Sequence, residues 1–324
     1  MDETYKERAA AAAPEMGNLS SLLLSLVAKP SETVVTAVVN FTIFKYWQQP
    51  TIALASVLLP HLEQHPLWKA QCLRSIARSQ HELGKYRTAI ITHTSAAKLF
   101  LEAGDRFSAA TCKQSAGQIH SLLCEYSDAE LLIEEARAVY VELGKYVQEA
   151  TCRRQLGRMM RKKGEYAPAI EHLKAAQQTL RSSKDLFSAA QCLEDLGILY
   201  LEQGDFDAAT VELEASRSAF RALGSQFHLA QSTRILGSVR RRQSDFTRAE
   251  ELLREAEDIS TIIDDRYQLA NCAVAFGNLR SDQKRPEEAA VYYESAQHEF
   301  EVLGLAKMAA DCKKGAELMR SKKD

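Results

Sequence analysis

Cysteine is the residue type here with the widest chemistry, since a thiol can bind a metal ion, form a disulfide or act as a nucleophile. Six of the seven cysteines are separated by 40 residues or a multiple of 40: Cys72, Cys112, Cys152, Cys192, Cys272 and Cys312. No Cys-x-x-Cys pair occurs, so the spacing of a zinc site is absent. Thiols one helix pair apart also exceed the roughly 7 Å between Cα atoms that a disulfide allows. We predict that these six are reduced, buried packing residues and that Cys124, outside the series, is the most reactive thiol.

Two histidines and several acidic pairs are the other candidates for catalysis or metal binding. His61 and His65 have i, i+4 spacing, but Pro66 follows at once and no third ligand is nearby. The glycine-rich phosphate-binding motifs and the Gly-x-Ser-x-Gly nucleophile motif are absent from the sequence. Acidic pairs such as Glu134-Glu135 are typical of solvated helix faces. We therefore predict no metal site, no cofactor and no enzymatic activity.

Arginine offers a different chemistry, the recognition of carboxylates. Arg154, Arg158, Arg161 and Lys162 have the spacing of a single stripe along a helix. A guanidinium group binds a carboxylate through two parallel hydrogen bonds, which suits an acidic peptide. We expect Arg154 and Arg158 to face solvent.

The glycines reveal the elements that would position these side chains. Twelve of the fourteen fall into three series with spacings of 40 or multiples of 40: Gly117, Gly157, Gly197, Gly237, Gly277; Gly84, Gly164, Gly204; and Gly104, Gly144, Gly224, Gly304. Alanines follow the same period at Ala70, Ala110, Ala150, Ala190, Ala230, Ala270 and Ala310. A fixed period of this length is typical of a solenoid or propeller.

Each unit reads as two helices, A and B. In residues 189–223, small and apolar residues recur at helical spacing on both sides of Gly204-Asp205, and Gly224 ends the second helix. No useful strand-like alternation occurs between the turns. Where two helices cross at 8–10 Å, only Gly or Ala fits at the closest point. The sequence therefore predicts an all-α fold.

These residues resemble the tetratricopeptide repeat, which has a small residue and Gly in helix A, a Gly-x-aromatic turn and Ala early in helix B. One unit supplies Leu156, Gly157, Gly164, Tyr166, Ala169 and Ala176. The resemblance implies a right-handed α-α superhelix of antiparallel helix pairs. It covers six repeats in residues 65–304, with an N-terminal leader and helical cap at 1–64 and a capping helix at 305–324. Ala37 and Tyr46 fit the phases of a degenerate seventh repeat; the alternative for this apolar segment is a membrane-surface or oligomer-forming helix.

The period of 40 exceeds the usual length of about 34 residues. We expect the additional residues at the B-to-A junction, as in Gly104-Asp105-Arg106-Phe107. Long-loop arrays of this kind resemble those of spindle-orientation adaptors, kinesin light chains and the repeat arms of fungal NB-ARC or NACHT proteins. The sequence Ala-Ala-Gln-Cys-Leu at 189–193 is most similar to the fungal arms.

The resemblance also implies that helix A lines a concave groove. Carried over unit by unit, the groove positions are 71, 74, 78, 81 and 82 and their equivalents at 40-residue steps, here called the inner row. Its candidate partner-binding residues are Arg74, Arg78, Gln114, Gln118, Arg154, Arg158, Arg161, Arg234, Arg241 and Asn278. The alternative is a self-paired, solvated face, since Glu194 lies between Arg154 and Arg234 in the series and could pair with either.

Composition limits the partner. Lys and Arg number 41 against 43 Asp and Glu, which argues against a whole-chain polyanion binder but not against a local basic patch. No apolar run reaches the roughly 18–20 residues of a membrane span. We predict a cytoplasmic, non-catalytic scaffold or adaptor that binds an acidic protein or peptide segment in the groove. The alternatives are a regulatory or sensor arm of an NB-ARC/NACHT-type system, nucleic-acid binding through the arginine rows, and binding at the apolar segment around Phe41, Phe44 and Trp47.

Overall fold

The computed structural model describes residues 58–321, together with Ser31, Thr33 and Ser56. Throughout residues 58–321 the regular secondary structure is helical, so the predicted all-α fold is confirmed. The predicted N-terminal cap, its degenerate repeat and the segment around Phe41, Phe44 and Trp47 lie outside the described residues. Within the described part, no helix is long and apolar enough to cross a membrane.

A short 3₁₀ turn, Leu59–Leu62, precedes thirteen α-helices in the described chain. They are α1 Pro66–Glu82, α2 Tyr86–Glu102, α3 Arg106–Leu122, α4 Tyr126–Glu142, α5 Tyr146–Lys163, α6 Tyr166–Ser182, α7 Leu186–Gln203, α8 Phe206–Ala222, α9 Gln226–Arg242, α10 Phe246–Ile262, α11 Arg266–Asp282, α12 Pro286–Val302 and α13 Ala306–Ser321. Odd-numbered helices through α11 are A helices, even-numbered helices are B helices, and α13 follows the sixth pair.

The helix junctions follow one backbone rule. Each of the twelve junctions between α1 and α13 contains a residue with positive φ, and these residues recur every 20 positions: Gly84, Gly104, Cys124, Gly144, Gly164, Lys184, Gly204, Gly224, Ser244, Asp264, Lys284 and Gly304. Glycine adopts this left-handed conformation without a Cβ clash, which explains two of the three glycine series. In five junctions another residue type takes it.

The expected long B-to-A loop is wrong. Every junction has only two or three residues between helices, whether it leads from A to B or from B to A. At the segment where the longer loop was expected, Gly104 ends α2, and the Asp105 side chain caps α3 by accepting a hydrogen bond of 2.9 Å from the Ser108 amide. Arg106 and Phe107 already belong to the first turn of α3. The 40-residue period is thus built from helices of 17 or 18 residues.

The described residues form two compact units, one ending at Thr179 and the other beginning at Leu180. In the first unit, Ala129, Ile133 and Tyr140 of α4 pack with Leu156 and Met159 of α5. In the second unit, Ala209 and Leu213 of α8 pack with Leu236 and Val239 of α9. Within each unit, consecutive helices pack against each other as the periodicity predicts.

The remaining glycine series, from Gly117 to Gly277, marks the closest approach of helix A to helix B. A Cβ added to Gly157 would lie 2.7 Å from Leu173 Cγ and 3.1 Å from the Ala169 carbonyl oxygen, too close for either neighbour. The same contact recurs as Gly117 with Ile133, Gly197 with Leu213, Gly237 with Leu253 and Gly277 with Tyr293. We call these paired positions the crossing row. In the first helix pair they are occupied by Ala77 and His93, both buried.

Candidate functional site

The inner row of the first unit carries an excess of positive charge. Its positions through residue 162 hold a single acidic residue, Glu82. The basic residues at these positions are Arg74, Arg78, Arg154, Arg158, Arg161 and Lys162. This part of the row is therefore strongly cationic although the whole chain has a net charge of -2.

The stripe on α5 is the densest part of this charge. Arg158 and Lys162 are exposed, whereas Arg154 and Arg161 are half-buried, so the expectation that Arg154 faces solvent is wrong. Partial desolvation lowers the pKa of Lys162, and the positive charges of Arg158 and Arg161 lower it further. An anion bound at the stripe would relieve this repulsion between like charges.

The two glutamines on α3 are connected to α5. Gln114 Nε2 donates to Gln155 Oε1 at 3.1 Å, and Gln155 Nε2 donates to Gln118 Oε1 at 3.4 Å. The Tyr140 hydroxyl donates to Gln114 Oε1, also at 3.1 Å. Gln114 is therefore fixed by neighbours, while Gln118 is the more exposed of the two.

A pocket of about 140 Å³ lies at the start of the row, between α1, α2 and α3. Its walls are Gln71, Arg74, Ser75, Arg78, His93, Thr111 and Ser115. Arg74 is held in place from two sides, because its Nη1 donates to Ser108 Oγ at 3.3 Å and its guanidinium carbon lies 5.2 Å from the centre of the Phe100 ring. The structure thus brings Arg74 and Arg78 together at one small polar site.

His93 is the unusual member of this pocket. Its side chain is 2% exposed, and its Nδ1 atom is buried without a hydrogen-bond partner among the described residues. Burial lowers the pKa of His93 to about 4, and the nearby charges of His81, Arg74 and Arg78 act in the same direction. Sequence reasoning missed this residue, although the signal was present: equivalent positions in the next four pairs hold Ile133, Leu173, Leu213 and Leu253.

The inner row of the second unit is balanced in charge. Its basic residues are Arg234, Arg241 and Arg242, and its acidic residues are Glu194, Glu202 and Asp282. Arg241 forms an ion pair with Asp282 of the next A helix. The Asn278 side-chain oxygen Oδ1 accepts a hydrogen bond of 2.9 Å from the Tyr293 hydroxyl. These two candidates therefore already have partners within the chain.

Arg234 and Glu194 occupy equivalent positions on neighbouring A helices of this unit. Arg234 is half-buried, its Nε makes no hydrogen bond to any described residue, and desolvation lowers its pKa. Glu194 is 6% exposed and accepts hydrogen bonds of 2.7 Å from both Gln231 and Ser232. Glu194 is thus a buried structural carboxylate, not an exposed member of a groove.

The cysteines are placed as predicted. The six in phase are buried free thiols, and Cys124 is exposed at a junction where its φ is +61°. Burial raises the pKa of Cys72, Cys112, Cys152 and Cys272 to about 12. Thiols with such pKa values are poor nucleophiles and poor metal ligands at neutral pH.

Two histidine sites bear on metal binding. The His65 ring stacks on Trp68 with ring centres 4.4 Å apart, and the side chain of His61 lies outside the described residues. His120, Glu125 and Asp128 place their ligand atoms within 4.8 Å of one another. Arg87 also forms an ion pair with Glu125, so this carboxylate is neutralised by protein groups.

Comparisons with known proteins agree with this architecture. Residues 228–297 match the family model described as tetratricopeptide repeat. No curated protein sequence matches the chain. Among solved structures, a Rap protein complexed with Competence and Sporulation Factor aligns with a TM-score of 0.63 and 12% identity over 98% of this chain and 98% of that one.

Two further structures have the same helix-pair fold. The Rap conjugation gene regulator of plasmid pLS20, in complex with the Phr* peptide, aligns with a TM-score of 0.61 and 12% identity over 95% of this chain and 96% of its own. The nearly identical TPR-like repeats of a putative kinesin light chain from Podosopora anserina align with a TM-score of 0.52 and 16% identity over 62% of this chain and 98% of theirs. Identities this low show the fold alone. Together with the periodic helix pairs, they show that the described residues have the helix-pair fold of tetratricopeptide-repeat structures, and residues 228–297 also match that family's model.

Proposed function

We propose that the protein is a non-catalytic scaffold or adaptor that binds an acidic segment of a partner protein along the inner row of α1, α3 and α5. The observation that carries this proposal is the charge excess there, with six basic residues against one acidic residue. The lowered pKa of Lys162 supports it, because the positive charges of Arg158 and Arg161 contribute to that shift. Carboxylates on a partner would meet guanidinium donors in the geometry they prefer.

The fold supports the binding class. Tetratricopeptide repeats present A-helix side chains in an extended series, which suits a peptide or protein segment better than a small molecule. One structure with this fold is a complex with the Phr* peptide. We infer the same general mode here, with a different set of side chains deciding which segment is bound.

Charge reversal tests the proposal. A fluorescein-labelled oligoglutamate peptide is titrated with the protein and followed by fluorescence anisotropy. The variant Arg158→Glu/Lys162→Glu changes two exposed residues of the stripe, so the fold should survive. A charged hydrogen bond is worth about 1.5–3 kcal/mol, so we expect at least a tenfold loss of affinity.

The control is Lys98→Glu/Lys174→Glu, which makes the same change in net charge at exposed positions on B helices. We expect less than a threefold loss for this variant. Equal losses in both variants would mean that binding follows net charge and would overturn the assignment to the inner row. A single-stranded oligonucleotide of similar charge that binds more tightly than the peptide would assign the row to nucleic acid instead.

A further inference from the structure

We propose that the pocket beside His93 binds a single carboxylate of the acidic segment, with Arg74 and Arg78 supplying the positive charge and His93 Nδ1 donating a directional hydrogen bond. This inference rests on the proposed function, because Arg74 and Arg78 belong to the inner row. It goes beyond it by naming the place where one anionic group is fixed.

The first argument is the break in the crossing row. In four of the other pairs an aliphatic side chain fills this position, and in the sixth pair the Tyr293 hydroxyl is hydrogen-bonded to Asn278. Of these six residues, only His93 has a buried side-chain polar atom that finds no hydrogen-bond partner in the described part of the chain. Burying an unpaired polar group is destabilising. A ligand oxygen that accepts a hydrogen bond from Nδ1 would therefore remove this energetic cost.

The second argument is the chemistry of the walls. Two guanidinium groups, hydroxyl groups and one amide line the pocket, and no described carboxylate does. These walls offer hydrogen-bond donors under a positive potential, which selects an anion. The volume of about 140 Å³ equals a few water molecules at about 30 Å³ each, which is room for a carboxylate and not for a large ligand.

A carboxylate in this pocket would change the proton affinity of His93. The charged groups that face it are Arg74, Arg78 and His81 of α1, whereas α3 contributes the neutral Thr111 and Ser115. Burial and, to a smaller extent, the three α1 groups hold the pKa of His93 at about 4, and a bound negative charge opposes this effect. The bound-state pKa is therefore higher than the free one. At pH values between these two pKa values, His93 takes up a proton when the ligand binds. The affinity therefore rises as the pH falls through this range.

Two variants separate the pocket from the fold. His93→Leu/Ala77→Gly rebuilds the Leu-on-Gly contact of the third, fourth and fifth pairs, so it should fold while losing the donor. His93→Asn places an amide nitrogen near the position of Nδ1 but has no titratable proton. The double variant thus tests whether the hydrogen bond from Nδ1 contributes to binding. The asparagine variant tests whether His93 takes up a proton when the carboxylate binds.

The experiment is isothermal titration calorimetry with oligoglutamate peptides that have either a free or an amidated C-terminus. At neutral pH we expect the double variant to bind at least tenfold more weakly than the wild type, and the asparagine variant to recover most of that loss. At about pH 5.5, measured in two buffers with different ionisation enthalpies, the wild type should take up more protons per bound peptide than the asparagine variant. If the double variant also binds the amidated peptide more weakly than the wild type does, the pocket holds a side-chain carboxylate. If the double variant is weaker only with the peptide that has a free C-terminus, the pocket holds the terminal carboxylate.

Failure of the pocket and failure of the groove give different results. One outcome is that Arg158→Glu/Lys162→Glu binds the peptides more weakly than the wild type, while folded His93→Leu/Ala77→Gly binds them as the wild type does. In that case the pocket proposal is wrong and the proposal for the inner row remains. If no peptide binds the wild type, both proposals are wrong. Equal proton uptake by the wild type and the asparagine variant would also contradict a carboxylate next to His93.

Discussion

The crossing row and the inner row lie on the same A helices and recur with the same period, yet they behave in opposite ways. The A-helix member of the crossing row is glycine in five of six pairs, because an added Cβ would collide with the facing B helix. The equivalent inner-row positions 74, 114, 154, 194, 234 and 274 hold Arg, Gln, Arg, Glu, Arg and Val. Packing fixes the residue type in the crossing row and leaves the inner row free to vary, so we expect the partner to be recognised at the inner-row positions where the repeats differ.

The first helix pair is where the two rows meet. Its crossing position is Ala77 rather than glycine, and the residue opposite is a histidine that lines a pocket with Arg74 and Arg78 of the inner row. The departure from the packing rule thus coincides with the proposed carboxylate pocket. We therefore test the packing rule at a buried alanine, at His93, at a crossing-row glycine and at a helix junction.

The largest effect is expected at a buried alanine on an A helix. Ala190 is 1% exposed and packs with Phe220 and Leu229. Ala190→Leu should overpack this contact and lower the free energy of unfolding by up to about 3 kcal/mol, measured by urea denaturation. A change within error would contradict the assigned close packing.

His93 should make stability depend on pH. Its pKa is about 4 in the folded chain and near 6.5 when unfolded, so the unfolded chain binds the proton more readily. Above about pH 6.5 His93 is neutral in both states and does not change the free energy of unfolding. As the pH drops from 6.5 toward 4, only the unfolded chain binds the proton, so the folded state loses stability. Between pH 7.5 and 5, the wild type should lose about 2 kcal/mol more than His93→Asn. Parallel pH profiles of melting temperature for the two proteins would mean that His93 is not held neutral by its surroundings.

A matched glycine pair tests the crossing row itself. Gly157→Ala and Gly315→Ala both gain about 0.5–1 kcal/mol of helix propensity. At Gly157 the new Cβ meets Leu173 at 2.7 Å, whereas at Gly315 its nearest neighbour is Tyr293 at an ordinary 3.4 Å. We expect Gly157→Ala to destabilise the protein by about 1–2 kcal/mol and Gly315→Ala to stabilise it slightly. Chemical denaturation that gives both changes the same sign would remove the steric account of the glycine series.

The smallest effect is expected at the junctions. Lys184 has a φ of +63°, a conformation that glycine adopts more easily. Lys184→Gly should raise the free energy of unfolding by less than about 1 kcal/mol, since relief of the backbone strain is partly offset by the greater chain entropy of unfolded glycine. Lys174→Gly, in the middle of α6, is the control and should be destabilising by a similar amount.

Periodicity made the fold predictable and left much of the site hidden. Spacings such as Gly117 to Gly157 indicate where helices cross and end, because the same steric conditions recur in every pair. The length of the junctions was misjudged, since Gly104-Asp105 reads as a loop but forms a turn and a cap. The ion pair of Arg241 with Asp282 was not predicted, because the period places their A helices next to each other but does not decide which inner-row side chains pair.

The central claim is that the partner segment lies along the inner row of α1, α3 and α5. Photo-crosslinking tests it most directly, with an oligoglutamate peptide that carries a diazirine group and with mass spectrometry to locate the modified residues. We predict crosslinks on A-helix residues such as Arg78, Gln118 and Arg158, and their loss when unlabelled peptide competes. Competable crosslinks that fall mainly on B-helix residues such as Ile91 or Glu171, or on residues 1–57, would contradict the account.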